Sequence, residues 1–216
     1  PFILVRYGNA SLGDNVPNAH VINSCESILR SADKLGFLQL MKEHDISVPP
    51  FCTTSEMWAA FRQGNFRPIG DFPWLGRQRY HFGGHDIKWI SYFKSVHFKR
   101  FSHRPFDYVV KVIPNTAEYR IWVVNAQKHG GSRYVVFKSS IKTDSGHIDR
   151  DRQPMKYRVK KNYKNGYSFL WSEEIPQEAK ELAKRAVETT GLDFGAVDVI
   201  KDLATNQFYV LEVNTA

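Results

Sequence analysis

The sequence contains few cysteines and no long apolar run. Only two of its 216 residues are cysteine, Cys25 and Cys52. Such a pair cannot build the disulfide framework of a small secreted domain and cannot fill a zinc site by itself. No uninterrupted apolar stretch reaches the roughly 18 residues that a membrane-spanning helix needs, and the apolar residues 2–5 are too few for a signal-peptide core. We therefore expect reduced thiols, a cytoplasmic location and no membrane partner.

The composition is typical of a globular protein with a surplus of positive charge. Hydrophobic residues make up 42% of the chain and charged residues 24%, which excludes a disordered protein. A length of 216 residues allows one large domain or two smaller lobes, each with a core of its own. The 30 basic and 22 acidic residues give a formal net charge of +8. This charge favours an anionic partner, which would be a nucleotide phosphate, a nucleic acid or an acidic peptide.

Apolar spacing and capping residues predict helices and strands in both halves of the chain. A first helix is expected after an N-cap at Ser31, and a second is opened by a capping box of Thr53 and Glu56. A third helix is expected over 177–190, where apolar residues recur on one face. Short strands are predicted at 2–5, 19–22, 108–113, 119–124, 134–137, 195–200 and 208–213. The order indicates an α+β protein with antiparallel sheets in two lobes, divided near residue 110.

Three oxygen-bearing side chains converge near the C-terminal end. Glu212 and Asn214 are two residues apart on a predicted strand, so they point to the same face. Asp198 lies on the preceding strand, and a hairpin turning over 203–206 would bring it within a residue or two of Glu212. Two carboxylates and one amide suit Mg²⁺, which also takes phosphate oxygens and water. The alternative is that the three side chains form the solvated face of a hairpin.

The same region resembles a known superfamily. Residues 194–200, Phe-Gly-Ala-Val-Asp-Val-Ile, followed by 209–216, Tyr-Val-Leu-Glu-Val-Asn-Thr-Ala, resemble the closing motif of the ATP-grasp superfamily. The resemblance implies that Asp198, Glu212 and Asn214 hold two Mg²⁺ ions that bridge the phosphates of ATP.

The opening of the chain carries a second part of the resemblance. Asn23-Ser24, residues 31–35 and residues 46–49 are similar to the opening segment of RimK-type amino-acid ligases and, more distantly, of D-alanine:D-alanine ligases. The resemblance implies that Lys34 contacts an ATP phosphate. The first turn of a helix already favours an anion there, because its N–H groups are unpaired. The alternative is an ordinary surface lysine.

The middle of the chain adds further nucleotide-binding candidates. Trp74-Leu-Gly-Arg77 precedes a Gly83-Gly84 pair, and together they resemble the superfamily's phosphate-binding strand and flexible glycine loop. Arg77 stands in place of the usual lysine and can pair with a phosphate in bidentate fashion. Glycines let backbone N–H groups approach phosphate oxygens, although a Gly-Gly pair is also typical of a plain turn. His81 and His85 have metal-ligand spacing but no third ligand nearby, which favours a loop.

The remaining candidates lie between the lobes and in a basic stretch. By resemblance, Lys111 and Ile113 lie at the adenine edge, Glu118 binds ribose, and Arg120 reaches the reacting carboxylate and phosphate. Lys161 stands where phage-encoded and RimK-type members have an arginine over the γ-phosphate. For the strand residues, the alternative to nucleotide binding is that they lie on the solvent-exposed side of a half-buried strand. The stretch 150–164 holds seven basic residues and one acidic residue, and as a charge run alone it would be a solvated loop.

The resemblance implies two α+β lobes with antiparallel sheets that grip ATP between them. We expect a reduced N-terminal segment over 1–50, a small lobe with the glycine loop over 51–110, and a large lobe with the Mg²⁺ site over 111–216. Because the chain ends at Ala216 directly after an apolar run, we also expect a C-terminal truncation. If the protein is phage-encoded, its location would be the host cytoplasm.

The implied activity is that of a carboxylate–amine ligase. ATP would phosphorylate a carboxylate substrate, and an amine acceptor, an amino acid or a peptide or protein, would attack the acyl phosphate to form an amide. The alternative is a reduced ATP-grasp protein that binds nucleic acid or belongs to a virion, which the charge of +8 favours. Retention of all three metal-ligand candidates favours the enzyme.

Overall fold

The computed structural model describes residues 2–6, 15–80, 87–91, 106–126, 134–144 and 167–215. The chain divides into two units. Unit 1 consists of residues 1–48, 114–143 and 168–216, and unit 2 consists of residues 49–113 and 144–167. Unit 1 thus combines residues from the predicted N-terminal segment and from the predicted large lobe. The functional division into three segments remains a prediction.

Among the described residues, unit 1 contains the largest sheet together with a separate pair of strands. Its strands are β1 (Phe2–Val5), β2 (Ala19–Ile22), β7 (Asn115–Asn125), β8 (Tyr134–Asp144), β9 (Tyr167–Trp171), β10 (Phe194–Asp202) and β11 (Phe208–Asn214). Five of them form a sheet in the order β11-β10-β7-β8-β9, in which β11–β10, β10–β7 and β7–β8 pair antiparallel. β1 and β2 form a separate parallel pair.

One helix of unit 1 packs against this sheet with an apolar face. The unit's helices are α1 (Cys25–Ala32), α2 (Lys34–Glu43) and α4 (Gln177–Thr190). α4 contacts β7, β10 and β11 through a buried stripe at helical spacing, which includes Ala179, Ala183 and Ala186. It ends at Gly191, whose φ of 73° lies in the left-handed region that favours glycine. This helix has the bounds predicted from its apolar pattern.

The start of α2 differs from the prediction. Ser31 is not an N-cap: it lies inside α1, where its buried hydroxyl donates to the Ile28 carbonyl at 2.9 Å. The N-cap is Asp33, whose ψ of 90° interrupts the helical conformation and whose carboxylate accepts from the Gly36 N–H at 3.0 Å. The predicted helix therefore corresponds to α2, which begins at Lys34, whereas α1 was not predicted.

Unit 2 is built on a smaller sheet. Its elements are β3 (Phe51–Thr53), α3 (Thr54–Arg62), β4 (Trp74–Arg77), β5 (Lys88–Ile90) and β6 (Tyr108–Lys111), with the strand order β3-β6-β4-β5 and antiparallel pairing throughout. Met57 and Phe61 of α3 pack on Trp74 and Phe106 in its core. A side chain at Gly76 is excluded, because its Cβ would lie 2.6 Å from the Phe106 ring.

Both cysteines are thiols. Cys25 is half-buried, whereas Cys52 is buried in the core of unit 2. Burial raises the pKa of the Cys52 thiol to about 12, and the nearby Glu56 carboxylate adds to this rise. The thiol is therefore neutral at physiological pH and is not a reactive nucleophile. None of the helices in the described segments is long and apolar enough to cross a membrane.

Candidate functional site

A row of polar side chains crosses the unit 1 sheet at one level. β10 pairs with β11 so that Asp198 lies opposite Glu212, and with β7 so that Asp198 also lies opposite Arg120. Arg120 in turn lies opposite Ser140 of β8. The buried neighbours Tyr119 and Ile121 belong to the other face of the sheet. The hairpin pairing of Asp198 with Glu212 agrees with the register expected from the sequence.

Asp198 and Arg120 form a two-point ion pair. Arg120 donates from Nε to Oδ1 of Asp198 at 2.7 Å and from Nη2 to Oδ2 at 2.8 Å. Asp198 is only 5% exposed. Burial raises the pKa of its carboxyl above the ordinary value, Arg120 opposes this rise, and the Glu212 carboxylate adds to it. Burial lowers the pKa of Arg120, but the hydrogen bonds and charge of Asp198 outweigh this and hold it above its ordinary value.

The neighbouring carboxylate is held by a second cation. The Nζ of Lys34 lies 3.3 Å from Oε2 of Glu212, and the amide Nδ2 of Asn214 donates to Oε1 of Glu212 at 3.1 Å. The first turn of α2 therefore reaches the predicted metal ligands, so Lys34, Glu212 and Asn214 lie together. With the Asp198–Arg120 pair, these side chains form a cluster of two carboxylates and two cations. The formal charge of this cluster is therefore near zero.

Two residues that the sequence did not indicate complete this face. Lys142 of β8 forms a buried ion pair with Glu118, the predicted ribose partner. The Phe169 ring of β9 lies beside both cations. Its centroid is 4.3 Å from Cζ of Arg120 and 4.9 Å from Nζ of Lys142. The alternation of β8 would have indicated Lys142, but the predicted strand ended at residue 137, whereas the strand continues to Asp144.

Unit 2 carries the other described nucleotide candidates. Arg77 ends β4, and its buried Nε donates no hydrogen bond to any described residue. Lys111 ends β6 and packs over Gly70, and Ile113 follows as a buried residue. An unpaired buried guanidinium N–H is costly and favours binding of an anionic oxygen.

Three of the predicted residues lie outside the described residues. These are Gly83, Gly84 and Lys161. Their predicted roles, and the loop interpretation of His81 and His85, remain predictions.

The donor chemistry of the predicted metal site suits Mg²⁺. Within the described segments, no group of three or more His, Cys, Asp and Glu side chains is placed to hold a metal. The predicted set has two such residues, Asp198 and Glu212, and its third member is the amide of Asn214. All three offer hard oxygen atoms. Burial raises the pKa of the Asp198 carboxyl and the nearby Glu212 carboxylate adds to this rise, so a bound cation would stabilise the charged form of Asp198.

Comparison with known proteins assigns the fold. No protein-family model and no curated protein matches the chain. The solved structures that resemble it include N5-carboxyaminoimidazole synthetase from Staphylococcus aureus, with 13% identity and a TM-score of 0.63 over 99% of this chain and 53% of that one. They also include N5-carboxyaminoimidazole ribonucleotide synthetase from Thermotoga maritima, with 14% identity and a TM-score of 0.56 over 90% of this chain and 44% of that one.

A third similar structure is named for the class itself. It is the ATP-grasp ligase PsnB complexed with minimal precursor, Mg and ADP, with 17% identity and a TM-score of 0.59 over 92% of this chain and 54% of that one. The chain therefore has the ATP-grasp fold, as predicted. It spans about half the length of the proteins to which it is similar.

Proposed function

We propose that this protein is an ATP-dependent carboxylate–amine ligase. The single observation that carries the proposal is the polar row of Glu212, Asp198 and Arg120, joined by Lys34, on one face of a sheet in the ATP-grasp fold. This row combines paired carboxylates with two cations, which are the groups that phosphoryl transfer needs for charge neutralisation. The three similar structures are of synthetases and a ligase, which supports this activity class.

The proposed reaction has two steps. A carboxylate oxygen of the substrate attacks the γ-phosphorus of ATP, and ADP leaves. The amine nitrogen then attacks the carbonyl carbon of the acyl phosphate, phosphate leaves, and the nitrogen loses a proton to give the amide. No nucleophile of the protein is needed, because positioning and charge stabilisation account for most of such a transfer.

Each candidate residue has a proposed role in this reaction. Arg120 orients the carboxylate and stabilises the transferring phosphoryl group, and Lys161 assists it. The nucleotide phosphates are held by Lys34, Arg77 and the Gly83-Gly84 loop. Lys111 and Ile113 contact the adenine edge, and Glu118, positioned by Lys142, binds the ribose.

Mg²⁺ is the proposed metal. Asp198, Glu212 and Asn214 would hold it, and it would neutralise charge on the phosphate oxygens. The PsnB structure that resembles this chain contains Mg and ADP. The sequence motifs support the presence of two ions and the RimK-like or phage-type subclass, which belong to the proposal. A cytoplasmic location is also part of the proposal.

Metal-dependent nucleotide binding tests the proposal. We expect Glu212→Gln to weaken binding of Mg·ATP at least about tenfold in calorimetry, since it removes a charged ligand of the metal worth about 1.4 kcal/mol or more. Glu178→Gln, at an exposed position on α4, is the matched control and should bind as the parent does. Binding of Mg·ATP by Glu212→Gln with parental affinity would show that the carboxylates are only a hairpin surface.

Turnover separates the ligase from the binding-module alternative. With hydroxylamine as the amine, an acyl phosphate gives a hydroxamate, so ADP and hydroxamate should appear together when a carboxylate substrate is present. Mg·ATP binding without either product across a panel of amino acids and peptides would contradict the ligase. Asp198→Asn requires a melting control in this assay, because Asp198 is buried against Arg120 and its loss also destabilises the fold.

A further inference from the structure

Large aromatic side chains occupy the same face of the unit 1 sheet as Arg120. Trp122 lies two residues beyond Arg120 on β7 and therefore points to the same side. The Phe137 ring of β8 contacts it, with ring centroids 6.2 Å apart. Trp171 lies two residues from Phe169, whose ring contacts Arg120, so Trp171 shares this face as well. We call these three residues on one face of the sheet, Trp122, Phe137 and Trp171, the aromatic platform.

A β-bulge turns Phe137 toward Trp122. The β7–β8 register shifts by one residue after Trp122. Trp122 pairs with Lys138, but Val123 pairs with Val136, so Phe137 has no partner in this register. Phe137 is therefore the extra residue on β8, released from strict alternation. Bulges reorient side chains and are frequent beside active sites. Without this bulge, Phe137 and Lys138 would point to opposite faces.

Two of the three apolar side chains of the aromatic platform are strongly exposed, and Trp122 is half-buried. Phe137 is 60% exposed and Trp171 is 66% exposed. Charged groups border it, with Arg120 on one side and the exposed Lys138 on another. An exposed apolar cluster with a charged border is typical of a ligand-binding surface.

The order of residues along β7 separates the aromatic platform from the nucleotide. Glu118, the proposed ribose partner, precedes Arg120, and Trp122 follows it. Residues two apart on a strand are separated by about 7 Å. If a substrate carboxylate lies at Arg120, the side chain of the residue that carries it, or of the adjacent residue, would be within reach of the aromatic platform. This side chain would lie on the side away from the nucleoside.

We propose that the aromatic platform binds a large apolar side chain of the carboxylate substrate, within one residue of the reacting carboxylate. The substrate class is then an amino acid or peptide with an aromatic or branched aliphatic residue at that position. This inference rests on the proposed function, which places the carboxylate at Arg120. Aromatic rings bind such side chains with a large contact area and little loss of conformational freedom.

Kinetics with paired substrates tests the inference. The carboxylate donors are the dipeptides Ala-Phe, Ala-Leu and Ala-Ala, with hydroxylamine as the amine and hydroxamate as the product. We expect a KM for Ala-Phe about tenfold below that for Ala-Ala, which corresponds to one additional aromatic contact with its buried area. Phe137→Ala and Trp171→Ala should each raise the KM for Ala-Phe about fivefold or more, with kcat and the KM for ATP unchanged.

Leu170→Ala is the matched control for these variants. Leu170 is 57% exposed on the same strand as Trp171 but points to the opposite face, so its removal should leave every constant unchanged. Equal KM values for Ala-Phe and Ala-Ala would overturn the inference, and so would a Leu170→Ala effect equal to that of Trp171→Ala. A change in oligomeric state of Phe137→Ala with an unchanged KM would overturn it in favour of an interface between copies.

A binding measurement keeps the aromatic platform testable if turnover is absent. Ala-Phe should change the tryptophan fluorescence of the parent with Mg·ADP present, Ala-Ala should do so only at about tenfold higher concentration, and Trp171→Ala should reduce the response. If the protein binds Mg·ATP but forms no hydroxamate, the proposed ligase activity is contradicted. The fluorescence titration still tests the aromatic platform in that case. Identical titrations with both dipeptides would overturn the aromatic platform alone.

Discussion

At the scale of single residues, Asn23 positions the strand that carries Asp198. It is completely buried, and its Oδ1 accepts from the N–H groups of Asp193 at 2.8 Å and Phe194 at 3.1 Å. Its own N–H donates to Oδ2 of Asp193 at 2.7 Å. Its φ of 62° lies in the left-handed region, which asparagine tolerates better than most residues. The end of β2 is thus tied to the start of β10.

Two substitutions at Asn23 separate its hydrogen bonds from its backbone conformation. We expect Asn23→Ala to lower the free energy of unfolding by about 3 kcal/mol, because two buried N–H groups lose their acceptor and φ becomes strained. Asn23→Gly should cost about 1 kcal/mol less, since glycine adopts that φ freely. Urea unfolding measures both values. Equal losses would show that the left-handed conformation contributes nothing.

At the scale of elements, α3 shows a helix start that is encoded locally. The Thr53 hydroxyl accepts from the Glu56 N–H at 3.1 Å, and the Glu56 carboxylate accepts from the Thr53 N–H at 2.7 Å. Both contacts of the capping box expected from the sequence are present. Residues three apart in sequence make these bonds whatever the rest of the molecule does, so the start of this helix is predictable.

Removal of the capping box should weaken unit 2 by a modest amount. We expect Thr53→Ala to lower the free energy of unfolding by about 1 kcal/mol, because the Glu56 N–H loses its acceptor. The double variant with Glu56→Ala should cost less than the sum of the single variants, because the two bonds belong to one motif. Ser55→Ala, an exposed residue of the same turn, is the control and should change stability little. Strict additivity in chemical denaturation would contradict a reciprocal box.

At the scale of the whole molecule, the net charge of +8 is unevenly distributed in sequence. The stretch 150–164 contributes seven basic residues and one acidic residue, and it lies outside the described residues. A concentration of cations raises the local concentration of anions and accelerates their capture. The same charge serves an anionic substrate in the ligase or a nucleic acid in the binding module.

Charge removal in this stretch distinguishes the two functions. We expect a variant with Arg152, Arg158, Lys160 and Lys164 changed to Gln to raise the KM for the anionic substrate at low salt, with Mg·ATP affinity unchanged. The control changes four exposed basic residues elsewhere, Lys42, Arg62, Arg67 and Lys88, and should leave that KM unchanged. Normal kinetics, together with nucleic-acid binding whose salt slope falls by about 0.7 to 0.9 for each phosphate that the variant no longer neutralises, would favour the binding module.

Much of the fold follows from short-range patterns in the sequence. The bounds of α4, the capping box of α3 and the pairing of Asp198 with Glu212 all depend on residues close in the chain or joined by one tight turn. Helical spacing, capping chemistry and strand alternation act over such distances and are visible in one sequence. They were sufficient to bring two of the predicted metal ligands together.

The partners of the charged groups were decided only by the tertiary structure. Sequence patterns do not indicate which charged groups form ion pairs, because these pairs join elements far apart in the chain. The ion pairs are Lys34–Glu212, Arg120–Asp198 and Lys142–Glu118. The polar sequence of residues 138–144 ended the predicted β8 too early, although pairing with β7 continues it. Long-range pairing stabilises a strand regardless of its own propensity, so only the folded sheet reveals it.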